Sequence, residues 1–200
     1  METFGEYVFA NCTSLTSVKI SKGVTSIGDY AFYGCENLSS LSLPYTLKSL
    51  GEYAFTNCNS LTSIKIPEGV TSIGYRAFYE CKKLNYVSLP STLGTLGKNV
   101  FENCTALTSV KIHEGVTIIA MHAFYGCESL NSVSLPSTLK IIGQSSFENC
   151  TGLTSIVIPE GVTTIYHYAF RKCTNLTSII IPEGVVEIGD NVFYECKNLA

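Results

Sequence analysis

Between Leu61 and Lys83, apolar residues fall at Leu61, Ile64, Ile66, Val70, Ile73, Ala77, Phe78 and Cys81, with mostly polar or small residues between them. From Leu84 the same skeleton starts again. Its first part ends in period-2 alternation, Ile64 and Ile66 on one side against Ser63 and Lys65 on the other, which predicts a short strand with one buried face. Pro67 ends that strand, having no N–H to give a ladder. Gly69 turns the chain, Val70 and Ile73 point inward, and a second short strand is expected around Thr71–Ile73. After Gly74, the spacing of Ala77, Phe78 and Cys81 suits one or two helical turns. The acidic residues after the equivalent Gly in other units, Asp29, Glu52 and Asp190, suit a helix N-terminus.

The unit recurs every 23 residues along the chain. Cysteines stand at Cys12, Cys35, Cys58, Cys81, Cys104, Cys127, Cys150, Cys173 and Cys196. A Phe precedes each by three residues, from Phe9 to Phe193, and a Leu follows each by three, from Leu15 to Leu199. Such a period is the signature of a leucine-rich repeat solenoid, in which each coil touches only its neighbours. The expected fold is therefore an α/β repeat: a right-handed, curved solenoid with a parallel β-sheet on its concave face and short helices or turns on its convex face. Residues 1–200 are expected to form one such domain of about eight to nine repeats, beginning and ending within a repeat. A period of 46 is superposed. Units with Lys-Ile and Glu-Gly-Val (Lys65, Glu68, Gly69, Val70) alternate with units reading Ser-Leu-Pro and Thr-Leu (Ser88, Pro90, Thr92, Leu93). The alternation fails where Pro-Glu-Gly-Val occurs in succession, at Pro159–Val162 and Pro182–Val185.

Composition narrows the function. The chain is 46% hydrophobic and 14% charged, ample for a continuous core. Its net charge of −3 lacks the basic density that nucleic acid demands. No apolar run approaches the roughly 18 residues of a membrane span, and METFGEYVFANC does not read as a signal peptide. The odd number of cysteines in a single column reads as a ladder of buried free thiols, with disulfides as the alternative. No Cys has a Cys or His partner at zinc-ligand spacing.

The unit L-x-x-[IVL]-x-[IL]-P-x-x-V-x-x-I-G-x-x-A-F-x-x-C resembles the BspA-like, Treponema-type leucine-rich repeat, matched at Leu61, Ile64, Ile66, Pro67, Val70, Ile73, Gly74, Ala77, Phe78 and Cys81. Departures are Ser21 and His113 for the Pro, Ala120 and Tyr166 for the Gly, and Ser146 for the Ala. The resemblance implies surface or secreted proteins that adhere to host proteins or other cells.

No catalytic constellation is present in the sequence. His113, His122 and His167 occupy three different columns, whereas metal binding or general-base work needs convergence. No Ser sits in a nucleophile elbow and no Gly-rich loop is built to cradle phosphate. The expectation is a protein without enzymatic activity, cofactor or metal. Sequons at Asn11, Asn37, Asn103, Asn149 and Asn175 arise wherever the repeat puts Asn before Thr or Ser.

The outward strand face is the expected binding surface. One column reads Lys19, Ser42, Lys65, Ser88, Lys111, Ser134, Val157, Ile180, and the adjacent one is Ser throughout except for Tyr86. Lys19, Lys65, Tyr86, Lys111, Val157 and Ile180 are the candidate contacts for a protein or glycan partner, a host extracellular-matrix protein among them. The alternative is a self-associating scaffold, joined through uncapped ends or the apolar Val157 and Ile180. A remoter one is an ice- or surface-binding array of stacked Thr and Ser, against which the mixed column Thr16, Ser39, Asn85 and Asn131 argues.

Overall fold

The computed structural model describes residues 2–200, which wind into a parallel β-solenoid of about eight turns. One strand per turn lies where period-2 alternation places it: β2 Ser17–Lys19, β4 Ser40–Ser42, β6 Ser63–Lys65, β8 Tyr86–Ser88, β10 Ser109–Lys111, β12 Ser132–Ser134, β14 Ser155–Val157 and β16 Ser178–Ile180. The second strand of each turn is also present: β1 Glu2–Phe4, β3 Val24–Ile27, β5 Ser49–Leu50, β7 Ser72–Ile73, β9 Thr95–Leu96, β11 Ile118–Ile119, β13 Ile141–Ile142, β15 Thr164–Ile165 and β17 Glu187–Ile188. Pairing is parallel and steps by one repeat, as in Ile64↔Val87 and Ile73↔Leu96.

The expected short helices, and with them the α/β class, are corrected: no helix occurs among the described residues. Two positions in each turn hold φ > 0, as at Tyr30 (56°) and Gly34 (67°), Tyr53 (53°) and Asn57 (60°), or Arg76 (53°) and Glu80 (56°). Helical backbone cannot pass through that region. N–H groups instead alternate between in-turn and between-turn acceptors. Ala31, Tyr33 and Cys35 donate to carbonyls three residues back, while Tyr30, Phe32 and Gly34 donate to Glu52, Ala54 and Thr56 of the next turn. The side opposite the strand face is thus a hydrogen-bonded stack of turns. Asp29, read as a helix-start residue, accepts the Glu52 N–H through Oδ1 at 2.7 Å.

The Phe column is the core's spine. Phe32, Phe55, Phe78, Phe101, Phe124, Phe147 and Phe170 are fully buried. Successive rings along this run stack with centroids 5.2–5.6 Å apart and planes within 15°. Each buried ring contributes roughly 1.5–3 kcal/mol. Beside it run nine free thiols, seven of them buried. From Cys35 onward each Sγ donates to the carbonyl of the Phe one turn back, as in Cys81 to Phe55 at 3.1 Å and Cys104 to Phe78 at 3.1 Å. The column therefore fills space and also satisfies a second lone pair on a buried carbonyl. Burial pushes the Cys35 thiol up to about 11 and the interior thiols Cys58, Cys81, Cys104 and Cys127 well above the ordinary range.

Where a glycine ends a second strand within the stack, the neighbouring turn leaves little room for a side chain. A Cβ on Gly74 would lie 2.5 Å from the Gly51 carbonyl carbon and 2.6 Å from the Glu52 nitrogen. Where Ala120 takes this position, the second sheet divides between β9 and β11. Tyr166, at the same position, keeps its bond to the Ile142 carbonyl at 2.9 Å and leaves the sheet intact. The break thus needs more than a Cβ, and it coincides with Gly94, where other turns carry Thr, Lys or Val.

Candidate binding face

The 46-residue period reappears in the hydrogen bonds of the strand face. Each Lys-type strand pairs fully with the Ser-type strand after it: β2 with β4, β6 with β8, β10 with β12. Their loops are joined as well. The Gly23, Gly69 and Gly115 N–H groups donate to Thr46, Thr92 and Thr138 Oγ1 at 3.0–3.3 Å. Those hydroxyls donate in turn to the Val24, Val70 and Val116 carbonyls at 2.7–2.9 Å. Glu68 accepts from the Ser91 N–H and hydroxyl, and Glu114 does the same from Ser137. These bonds hold the Glu114 carboxyl below the usual carboxylate range.

From a Ser-type strand to the strand after it this joining stops. β4 does not pair with β6, β12 does not pair with β14, and β8 meets β10 only at Tyr86↔Ser109. At each of these boundaries the surface opens into a depression. The first, about 430 Å³, is lined by Leu41, Ser42, Leu43, Tyr45, Lys65, Pro67 and Glu68. The second, about 270 Å³ where one pairing survives, includes Tyr86, Ser88, Ser109, Lys111 and His113. The third, about 480 Å³, includes Glu114, Val133, Ser134, Ser137, Val157 and Pro159. The three recur every two turns.

The structure places all six candidate residues outward on this face. Lys19, Lys65 and Lys111 are exposed, and none is in an ion pair among the described residues. Tyr86 is 54% exposed, between Ser63 and Ser109 of the flanking strands. Val157 and Ile180 are 82% and 81% exposed and directly paired, an apolar patch at one end of the face. Lys65, Lys111 and Val157 each line a depression, whereas Lys19 and Ile180 line none of the three.

The histidines stay apart. His113 lines the middle depression, His122 Nδ1 lies 3.2 Å from Asn99 Nδ2, and His167 Nδ1 accepts the Asp190 N–H at 2.8 Å. The same nitrogen lies 3.4 Å from an Asp190 carboxylate oxygen. Among the described residues no group of three or more His, Cys, Asp or Glu is placed to hold a metal ion, and no helix is long and apolar enough to cross a membrane.

Two features have no counterpart in the sequence reading. On the second sheet, Ile118, Ile141, Met121 and Tyr166 line an apolar depression of about 340 Å³ beside the β9–β11 break. Its signal is Ile118 and Ile141 interrupting a column that otherwise holds Ser26, Ser49, Ser72, Thr95, Thr164 and Glu187. On the turn side, Arg76–Glu102 (3.6 Å) and Arg171–Glu148 (3.1 Å) pair across neighbouring turns, and each Arg also lies against tyrosine rings.

Comparison with known proteins fits this geometry. A model of the BspA type leucine rich repeat region matches in six copies, over residues 2–127 and 94–200. No curated protein sequence matches. Among solved structures, a leucine rich repeat protein of T. pallidum is 28% identical with a TM-score of 0.69, over 99% of this chain and 82% of that one. A leucine-rich repeat protein from Eubacterium ventriosum is 26% identical with a TM-score of 0.76, over 91% of this chain and 59% of its own. A pneumococcal vaccine antigen, PcpA, shares the fold at 18% identity and a TM-score of 0.59, over 58% of its length. With family matches running from residue 2 to residue 200, the chain belongs to the BspA type leucine rich repeat family.

Proposed function

We propose that the chain is a non-catalytic recognition module whose strand face docks a protein or glycan partner, in the setting of adhesion at a cell surface. The observation that carries this reading is that Lys19, Lys65, Lys111 and Tyr86 project from the sheet and take no part in the core, and that Lys65, Lys111 and Tyr86 border depressions. Side chains that the fold does not use are available to a partner. Extracellular-matrix proteins and glycans are the partners to test. Capture from such a panel should fall when Lys19, Lys65 and Lys111 become Ser together with Tyr86→Ser. Capture unchanged by all four substitutions would remove the strand face from the proposal.

Self-association is the second reading, favoured by the paired Val157 and Ile180. A contiguous apolar patch on a polar face is a contact surface for another chain. Val157→Lys with Ile180→Ser should then shift sedimentation toward the monomer. A concentration-independent monomer already present in the unsubstituted chain would dismiss it.

A further inference from the structure

We infer that the strand face is built for a linear polysaccharide in which a uronate alternates with a neutral sugar, lying along the solenoid axis. The inference rests on the proposed use of this face and names its ligand. Two independent features share a period of two turns: the lysines Lys19, Lys65 and Lys111, and the depressions opened where the two-turn blocks meet. Paired strands lie about 4.8 Å apart and successive Phe rings of the stack 5.2–5.6 Å apart, so lysines on every second turn repeat every roughly 10–11 Å. A pyranose ring in an extended β-linked chain advances by about one such turn. One carboxylate on every second sugar therefore meets one ammonium on every second turn.

An extended acidic peptide does not match this repeat. Its residues advance about 3.3 Å and alternate sides, so same-side carboxylates fall at roughly 6.6 or 13 Å. A densely sulfated chain fits less well, because charge on every sugar would set sulfate groups opposite Ser42 and Ser88, and beside the Glu68 and Glu114 carboxylates. The face also holds no Arg, since Arg76 and Arg171 both lie on the turn side, and Arg is the residue suited to bidentate oxyanion capture. Between Lys65 and Lys111 stands Tyr86, its exposed ring available to the apolar face of a sugar. The surrounding Ser88, Ser109, Ser132 and Ser134 hydroxyls can donate and accept with sugar hydroxyls. Among the described residues His113 is the one other titratable group lining that depression, and no carboxylate lines it. The charged run ends at Val157, where the lysine position turns apolar.

The test is calorimetric titration of the whole chain with a hyaluronan decasaccharide, at low and at physiological salt. Binding should weaken as salt rises. Lys65→Ala and Lys111→Ala should each weaken it about 2- to 5-fold, and Tyr86→Ser at least about fivefold. Lys98→Ala with Lys140→Ala, outside the strand face, should leave it unchanged. A neutral chito-oligosaccharide of equal length should bind much more weakly. Absence of hyaluronan binding, equal affinity for the neutral oligomer, or preference for heparin or a poly-Glu peptide would overturn the inference. If a protein partner is still lost on Tyr86→Ser while hyaluronan does not bind, the glycan assignment fails and the strand-face reading stands. Hyaluronan binding indifferent to Lys65, Lys111 and Tyr86 would overturn the inference, and together with capture of a protein partner equally indifferent to them would defeat both.

Discussion

Replacing Phe101 by Ala removes one ring from the middle of the stack. Phe101 is fully buried, with Phe78 at 5.5 Å on one side and Phe124 at 5.6 Å on the other. Its carbonyl also accepts the Cys127 thiol at 3.2 Å, a bond that Ala would keep. The loss is thus confined to the side chain, and Phe→Ala at such a site costs about 3–5 kcal/mol, transfer and cavity terms together. Because each turn contacts only its neighbours, two interfaces are weakened at once and nothing distant can compensate. In urea, with a slope of about 2 kcal/mol/M for a chain of this size, the midpoint should fall by about 1.5–2.5 M. The slope also reports whether the array still unfolds as one unit. Circular dichroism and intrinsic Tyr fluorescence should follow the same transition. A midpoint shift below about 0.5 M, at unchanged slope, would refute the assignment of this column as the stabilising spine.

Four further outcomes follow from the geometry. Gly74→Ala should cost about 1–3 kcal/mol by forcing two turns apart, whereas Gly94→Ala, with no atom near its added Cβ, should be neutral or slightly stabilising; equal effects in thermal melts would contradict the contact argument. Thr92→Val breaks the bonds to the Gly69 N–H and the Val70 carbonyl and should cost about 1–2 kcal/mol, loosening a two-turn block; hydrogen exchange at Gly69 unaltered by the change would count against the stitch. Thiol reagents at pH 8 should reach the partly exposed Cys12 and Cys196 first and all nine thiols only in denaturant. The raised thiols also set a pH dependence. Unfolded thiols ionise near pH 8.5 while the folded ones stay neutral, so this stability is full below about 8.5 and declines as pH rises toward the Cys35 value of about 11. A urea midpoint constant from pH 8 to 10.5 would contradict the burial of that column.

The strands, the Phe stack and the outward lysines were legible because period-2 alternation fixes which side chains face out, and the 23-residue repeat states it many times over. The helix expectation failed for a specific reason. Ala77, Phe78 and Cys81 are spaced like a helical face, yet the same spacing is produced by successive turns whose carbonyls bond three residues on. A signal against helix was present in Asn11, Gly34, Asn57, Asn103, Gly126 and Asn149, residue types that tolerate positive φ, all in one column. The depressions were hidden because they arise from pairing that stops at Ser42 and Ser134, a property of two-turn blocks and not of any single residue. The Ile118 and Ile141 patch lies on strands two residues long, too short to display alternation.

The most direct test of the strand-face account is an amide hydrogen-exchange footprint of the chain with a captured partner. Protection should rise over residues 17–19, 63–65, 86–88 and 109–111, and stay unchanged at the turns around Tyr30, Tyr53 and Arg76. Protection confined to those turns, with the strand face exchanging as in the free chain, would contradict it.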